Sequence, residues 1–474
     1  MREQRRKNMS DSKKPSPSRK AITGPELPVP EYAPKYFSPG ILAGGWLFCS
    51  GAMPTDYQNA VDEVGYTDPD ALHRPDVYDN ARLRQQSHAV MQRLQKVFAA
   101  SGGDLSTDTI RIEQFFRSPH PTQNDFDTTR DTWAKGISIS PYLETRNEYI
   151  GEARPPSVGF GVTDLPIEGV DLQVDLIGAP GIKKVRIEAP EGVASPLAGY
   201  SPAIRFGDWV SLAGEVPTDW AGDWMSEKHM GEPRATDPRT RPNEYLWYGD
   251  EMAEQVNLTL EKQAKIAEAA GSSIDRCVNA TVYIGHPADF SSMDAVWKQW
   301  FPNNPPARTV IPYAGLGGKG WRFEVTMDLL TNDSKLKPQI IHTNNASEPF
   351  GHEPQAVKVG NLLFFSTLRS INSSGVLTTT PPTGFARYVD QGYAQMNGIL
   401  DNIEAISEAA GTNLANLCRL KVFMDEWSVM SSGARAIADR FPVDPPAVSM
   451  HRVNGSPMIS RGCHFVGDAI SYIP

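Results

Sequence analysis

Cysteine is scarce in this chain of 474 residues: there are four, Cys49, Cys277, Cys418 and Cys463, far apart and none in a C-x-x-C. That excludes a disulfide scaffold and a thiolate zinc site, and it suits buried free thiols in a reducing cytoplasm. Long apolar runs are missing as well. No stretch reaches the roughly 18 residues that a membrane-spanning helix needs, so no membrane partner is expected. The opening MREQRRKNMSDSKKPSPSRK is basic without an apolar segment, which excludes a secretory signal. Residues 1–30 read as a disordered basic tail, with Met9 a second candidate start. Positive charge is in deficit: 46 Lys+Arg against 56 Asp+Glu leave a net −10. Binding to phosphate backbones needs the opposite balance, so nucleic acid is not an expected partner. None of the nine histidines pairs at i, i+4, and no H-E-x-x-H occurs, so no metal is expected. GLGGKG at 315–320 lacks the spacing of a Walker loop and reads as turn chemistry inside a hairpin. No cofactor motif remains.

What the chain has is internal repetition. FSPGILAGGWLFCSGAMPTD (37–56) and YSPAIRFGDWVSLAGEVPTD (200–219) share Ser-Pro, Gly, Trp, Gly and Pro-Thr-Asp in register. EPQAVKVGNLLFFSTLRSIN, from Glu353, is a third version. AKIAEAAGSSIDRCVNATVYI (264–284) matches EAISEAAGTNLANLCRLKVFM (404–424), with a weaker copy from Leu94. FPNNPPARTV (301–310), FPVDPPAVSM (441–450) and RPPSVGFGV (154–162) complete the series. Blocks that recur in one order are a tandem array. The length agrees, at about 150 residues per domain. The expected division is 31–182, 183–335 and 336–474.

Each copy reads alike. Alternating segments around a central glycine, as in VKVGNLLFFS, predict a β-hairpin. An amphipathic helix follows, with Met252, Val256, Leu260 and Ala264 at four-residue steps. Gly102, Gly271 and Gly411 stand where a left-handed residue ends such helices. A strand, a second helix and a final hairpin complete a ββ-α-β-α-ββ unit, of the α+β class. Three such units predict one closed intramolecular pseudo-trimer, alone or as a dimer.

These residues resemble the RidA (YjgF-type) imine/enamine deaminases. YSPAIRFGDWVSLAGEVP is similar to that family's opening hairpin, and residues 255–309 are similar to its central portion, with PPART the most specific match. The resemblance covers roughly 31–474 through three copies and implies a chorismate-mutase-like fold with a cleft at each unit boundary. It implies no cofactor, a small-molecule substrate, and an arginine in P-A-R-[ST] that grips the substrate carboxylate. Here that arginine is Arg308, with Ser157 and Val448 in the other copies. A guanidinium fork binds a planar carboxylate bidentately; serine offers one hydrogen bond and valine none. Arg154, three residues before Ser157, is a substitute candidate.

The family's acid on the last strand matches Asp175, Asp328 and Asp468, each one methylene shorter, with Glu324 a rival to Asp328. Asp328 and Glu324 are therefore the candidate catalytic residues, for positioning water and passing its proton to a leaving amine. The family's tyrosine falls on Tyr200, with Phe37 and Glu353 elsewhere; its Ser-Gly falls on Ala213-Gly214, Ser50-Gly51 and Ser366-Thr367. Its polar helix residue falls on Asp294, Asp131 and Ser431, and an aspartate there repels an anionic ligand unless it is paired. Arg308, Tyr200, Gly214 and Asp294 thus form the expected binding set, with Ser50, Asp131, Arg154 and Asp175 as a secondary set in the first copy. Trp220, Trp224, Tyr245, Trp247 and Tyr248 lie in an insertion that reads as an edge seal or as a lid over an aromatic substrate. His120 is a lone loop histidine.

The expected activity is hydrolysis of an imine, enamine or related C–N bond of a small carboxylate-bearing substrate. A ring-opening hydrolase of the cyanuric-acid type needs a Ser–Lys pair in each repeat; Ala213 replaces serine in the second copy and no lysine recurs. A non-catalytic metabolite-binding scaffold is the reading from a different class, and loss of the arginine from two copies favours it.

Overall fold

The computed structural model describes residues 18–24, 27, 35–55, 75–117, 139–196, 198–218, 237–240, 249–313, 321–372, 375–377, 390–453 and 462–474. Asp131, His120, the 315–320 glycine run and the five aromatics of the insertion lie outside them. The first sheet holds β1 (Arg19–Ile22), β2 (Gly40–Ala43), β3 (Trp46–Cys49), β4 (Thr109–Arg117), β5 (Ser157–Val162) and β6 (Leu172–Gly178), in the order β1-β2-β3-β6-β4-β5. The second holds β7 (Lys184–Ile187), β8 (Ala203–Phe206), β9 (Trp209–Glu215), β10 (Cys277–Ile284), β11 (Ala307–Pro312) and β12 (Phe323–Leu330), in the order β11-β10-β12-β9-β8-β7. The third holds β13 (Gln339–Ile341), β14 (Ala356–Val359), β15 (Leu362–Phe365), the short β16 (Leu368–Arg369), β19 (Leu417–Met424), β20 (Ala447–Arg452) and β21 (Phe465–Tyr472). Its order is β13-β14-β15-β21-β19-β20. A separate ribbon pairs β17 (Ile371–Asn372) with β18 (Gly375–Val376). The longer helices are α1 (Pro75–Ser101), α2 (Ser140–Ile150), α3 (Glu251–Ala269), α4 (Phe290–Trp300), α5 (Gln391–Ala410) and α6 (Met430–Arg440).

Two expectations need correction. The last two strands of each sheet do not form a hairpin: β5, β11 and β20 run parallel to the central strand, while β6, β12 and β21 insert antiparallel on its other side. The helix between central and following strands requires this, because a β-α-β crossover returns its strand parallel. Each sheet also gains an extra first strand (β1, β7, β13). Arg19–Ile22, expected within a disordered tail, pairs with β2. Ile22 is buried, and Arg19 donates Nε to Leu417 O at 2.9 Å and Nη2 to Asp444 O at 3.0 Å. The helix-ending glycines behave as expected, with φ of 82° at Gly102, 74° at Gly271 and 86° at Gly411.

The sheets share their cores. Phe115, Tyr283 and Phe423, one from each central strand, belong to one buried cluster, and His451 stacks on Phe115 at 3.7 Å. Contacts run from first to second (Arg111–Asp328), second to third (Thr367 N to Arg308 O, 3.0 Å) and third to first (Gly51 N to Val448 O, 3.3 Å). Every sheet therefore touches both others, and three junctions result.

Candidate functional site

Strand register places the site residues. Ser157, Arg308 and Val448 lie opposite Ile112, Ala280 and Leu420, which in turn face Leu176, Met327 and Ala469. They occupy one place in three sheets. The same register separates the aspartates that sequence treats as equivalent. Asp175 and Asp468 face Glu113 and Lys421, where the second sheet has Thr326 facing Thr281. Asp328 sits two residues further along, and Glu324 faces Tyr283 where Gln173 faces Phe115 and Val466 faces Phe423.

Asp328 is fully engaged. Arg111 holds both carboxylate oxygens, and Asn279 Nδ2 donates to Oδ2 at 3.0 Å. It is a structural ion pair between sheets, which corrects its catalytic assignment. Glu324 is the opposite case. It is 5% exposed, and its Oε2 has no hydrogen-bond partner among the described residues. Its side chain lies against Gly214, where a Cβ would stand 2.1 Å from Oε1 and 2.9 Å from Val158 of the first sheet. Burial, and then Glu215, pushes the Glu324 carboxyl well above the ordinary range, which favours its protonated form. Tyr200 borders the same junction; burial, Glu215 and Glu324 raise its phenol against the pull of Arg146.

Arg308 does not stand free. It is fully buried, with Nε donating to Glu353 Oε2 at 2.9 Å and Nη2 donating to both Glu353 and Asp294. Trp297 and Phe290 lie under the guanidinium, 5.1 and 5.6 Å from its carbon. Two carboxylates of the chain thus occupy the arginine expected to take substrate. Asp294 is the paired aspartate that the binding reading required, but its partner is that same arginine. Across this junction, Val466 stands in the acid's place. Ser431 is not the match of Asp294: it is the second residue of α6, whereas Asp294 is the fifth of α4, the place Ala434 holds.

The secondary set is mostly structural. Ser50 Oγ donates to Ser38 O at 2.6 Å and accepts from Val448 N at 2.8 Å, fastening first sheet to third. Ser366 does the same for Arg308 N at 3.1 Å. Arg154 points outward, its side chain 47% exposed and 3.5 Å from Glu152, so it is no substitute anchor. Asp175 accepts from Ser449 at 2.6 Å; burial first, then Glu113, raises it to about 7.

One functional candidate is absent from the sequence reading. Arg146 of α2 is fully buried and lies beside Ser157 Oγ at 3.4 Å, with Nη2 donating to Ala198 O. Its electrostatic partners are the phenols Tyr142 and Tyr200, and among the described residues no carboxylate pairs with it. The signal was present: Tyr142, Thr145, Arg146 and Ile150 form the buried stripe of α2, and an arginine in such a stripe is an anomaly.

Two small cavities lie elsewhere, about 20 Å³ beside Ser366 and Arg369, and about 10 Å³ between Phe37, Gly51, Gln173 and Val448. Neither is walled by a buried acid, so chemistry rather than volume selects the junction of Glu324. Asp425, Glu426 and His464 bring potential metal-ligand atoms within 4.8 Å of one another, but the His464 to Asp425 hydrogen bond at 3.0 Å accounts for the cluster. All four cysteines are buried and free.

Residues 191–329, which include β8 to β12, match the Endoribonuclease L-PSP family. A RutC family protein of Sulfurisphaera tokodaii is 30% identical over 126 residues, 27% of this chain and 83% of that one. The chain belongs to the RidA (YjgF/RutC) family. Another family relative is the human 2-iminobutanoate/2-iminopropanoate deaminase, 34% identical over 74 residues, 16% of this chain and 53% of that one. Among solved structures, RidA from a Psychrobacter species is 24% identical, spans 28% of this chain and 99% of its own, and has a TM-score of 0.24.

Proposed function

We propose that the chain hydrolyses an imine, enamine or related C–N bond of a small carboxylate-bearing substrate, at the junction of the first and second sheets. The observation that carries this reading is Glu324: a buried carboxyl with its pKa raised, held over Gly214 and bordered by Tyr200, whose Oε2 has no hydrogen-bond partner among the described residues. The imine carbon is itself the electrophile. Water adds its oxygen to that carbon, the C–N bond breaks, and nitrogen leaves as ammonia while the carbon becomes a carbonyl. Glu324 serves both ends, its carbonyl oxygen accepting a hydrogen bond from water and its hydroxyl donating to the departing nitrogen. Help of this kind typically contributes about 10²–10⁴-fold. The human relative, a 2-iminobutanoate/2-iminopropanoate deaminase, supports the substrate class. The aromatic insertion leaves room in this reading for a bulkier ring-bearing substrate.

The test is ammonia release from freshly generated 2-imino acids by the full chain. Release faster than the spontaneous rate, lost in Glu324→Gln, supports the reading; release at the spontaneous rate contradicts it. A second reading, a non-catalytic metabolite binder, is favoured by the closed Arg308 and by Val466 in the acid's place, and it predicts binding without ammonia release.

A further inference from the structure

We infer that Arg146, launched from helix α2, is the carboxylate anchor of this protein, and that Arg308 is sealed by its own chain. The inference rests on the reading above, that the junction carrying Glu324 is the working one. Tyr200 and Glu353 each stand three residues before a strand of the matching hairpin, at Ala203 and Ala356, so Ala198 and Gly351 are matching positions too. Arg308 Nη2 meets this loop at Gly351, where a Cβ would lie 2.5 Å away, and ion-pairs with Glu353. Arg146 Nη2 meets the same loop one junction earlier, donating to Ala198 O and lying 4.0 Å from a Cβ built on Gly199. Two arginines from different elements therefore bring their guanidinium groups to the same place in successive junctions.

Their partners differ in sign and number. Arg308 already has its counter-charges. Among the described residues Arg146 is a fully buried cation without one, and its Nε has no hydrogen-bond partner there. A buried charge is retained when something pairs with it. A ligand carboxylate is that partner: it supplies two charge-assisted bonds where the guanidinium now has only the neutral acceptors Ala198 O, Ser157 Oγ and Asn147 Oδ1. Gln114 supports the arrangement by donating Nε2 to Ser157 Oγ at 2.6 Å, which fixes the hydroxyl beside the guanidinium. Serine in the register place of Arg308 leaves the room that Arg146 fills.

The test is calorimetric titration of the full chain with pyruvate and with phenylpyruvate, the stable 2-oxo products of the proposed chemistry. Lysine variants keep the charge and the fold but lose the bidentate fork. Arg146→Lys should weaken binding about 10-fold and Arg146→Ala about 100-fold, the range for a charge-assisted contact. Arg308→Lys should bind like the parent. Loss in Arg308→Lys with full binding in Arg146→Lys overturns the inference, as does no binding of either 2-oxo acid by the parent chain. Should Arg146→Ala not fold, Arg146→Lys decides alone, and parental affinity in it overturns the inference. Binding through Arg146 without ammonia release would remove the hydrolase reading and leave the anchor. Turnover with unchanged KM in Arg146→Lys would remove the anchor and leave the hydrolase.

Discussion

Glu324 and Arg308 show what can be read at the scale of single residues. Glu324 was visible as an acid near the start of the last strand, but its rank above Asp328 depends on register, which sequence leaves open by two residues. The fate of Arg308 was hidden, because Glu353 lies 45 residues away and on another sheet. The Glu324 carboxyl has a folded pKa raised above its unfolded value of about 4.3. The stability linked to its proton is present below that value and is lost as pH rises toward the folded pKa. Glu324→Gln keeps the neutral shape, so its melting temperature should fall less from pH 5 to pH 9 than the parent's. Identical slopes in the two proteins would show that Glu324 is already ionised. If the acid works protonated, turnover should also decline on the alkaline side.

Among the elements, the hairpins, the helices and their glycine ends were legible because periodicity and turn chemistry are local. The extra first strands were not, since RKAI, KVRI and QII are too short to show a period. The insertion of the last strand between hairpin and central strand was missed because adjacency in sequence suggested a hairpin. That inserted strand sets the site, turning Glu324 onto β9 at Gly214. Gly51 repeats the device, with a Cβ there 2.2 Å from Gln173 Nε2. At the matching sequence positions the third copy has Thr367 and the shorter Val466. Gly214→Ala should therefore displace Glu324, cutting turnover at least about 10-fold while the fold persists, since one methyl in a packed core typically costs about 1–3 kcal/mol. Unchanged kcat, with a melting curve like the parent's, would mean that the carboxyl does not work from this position.

Across the whole molecule, the junctions are lined with buried charge. Glu113 meets Lys421 at 2.8 Å and Arg419 at 3.7 Å, and Lys421 meets Asp468 at 2.9 Å. Burial alone would raise Glu113, but Lys421, Arg419 and Arg111 outweigh it and hold it at about 2, while Asp175 beside it rises to about 7. The signs differ. Glu113 contributes stability above about pH 4.3 that is lost as pH falls through 2, whereas Asp175 contributes stability below about pH 3.9 that is lost as pH rises through 7. Asp175→Asn should flatten the loss of melting temperature between pH 5 and pH 8, and an unaltered slope would show that Asp175 is ionised throughout. Because each sheet touches both others through such contacts, solution scattering should report one compact particle per chain or a simple multiple of it. Three beads on flexible linkers would contradict the closed arrangement.

In the proposed function the junction of the first and second sheets does the work, although the family's arginine sits at another. A crystal structure of the full chain soaked with phenylpyruvate distinguishes the two junctions. The prediction is a ligand with its carboxylate on Arg146 and its carbonyl carbon beside Glu324, above Gly214. A ligand seated on Arg308 in place of Glu353, with the Glu324 junction empty, would contradict it.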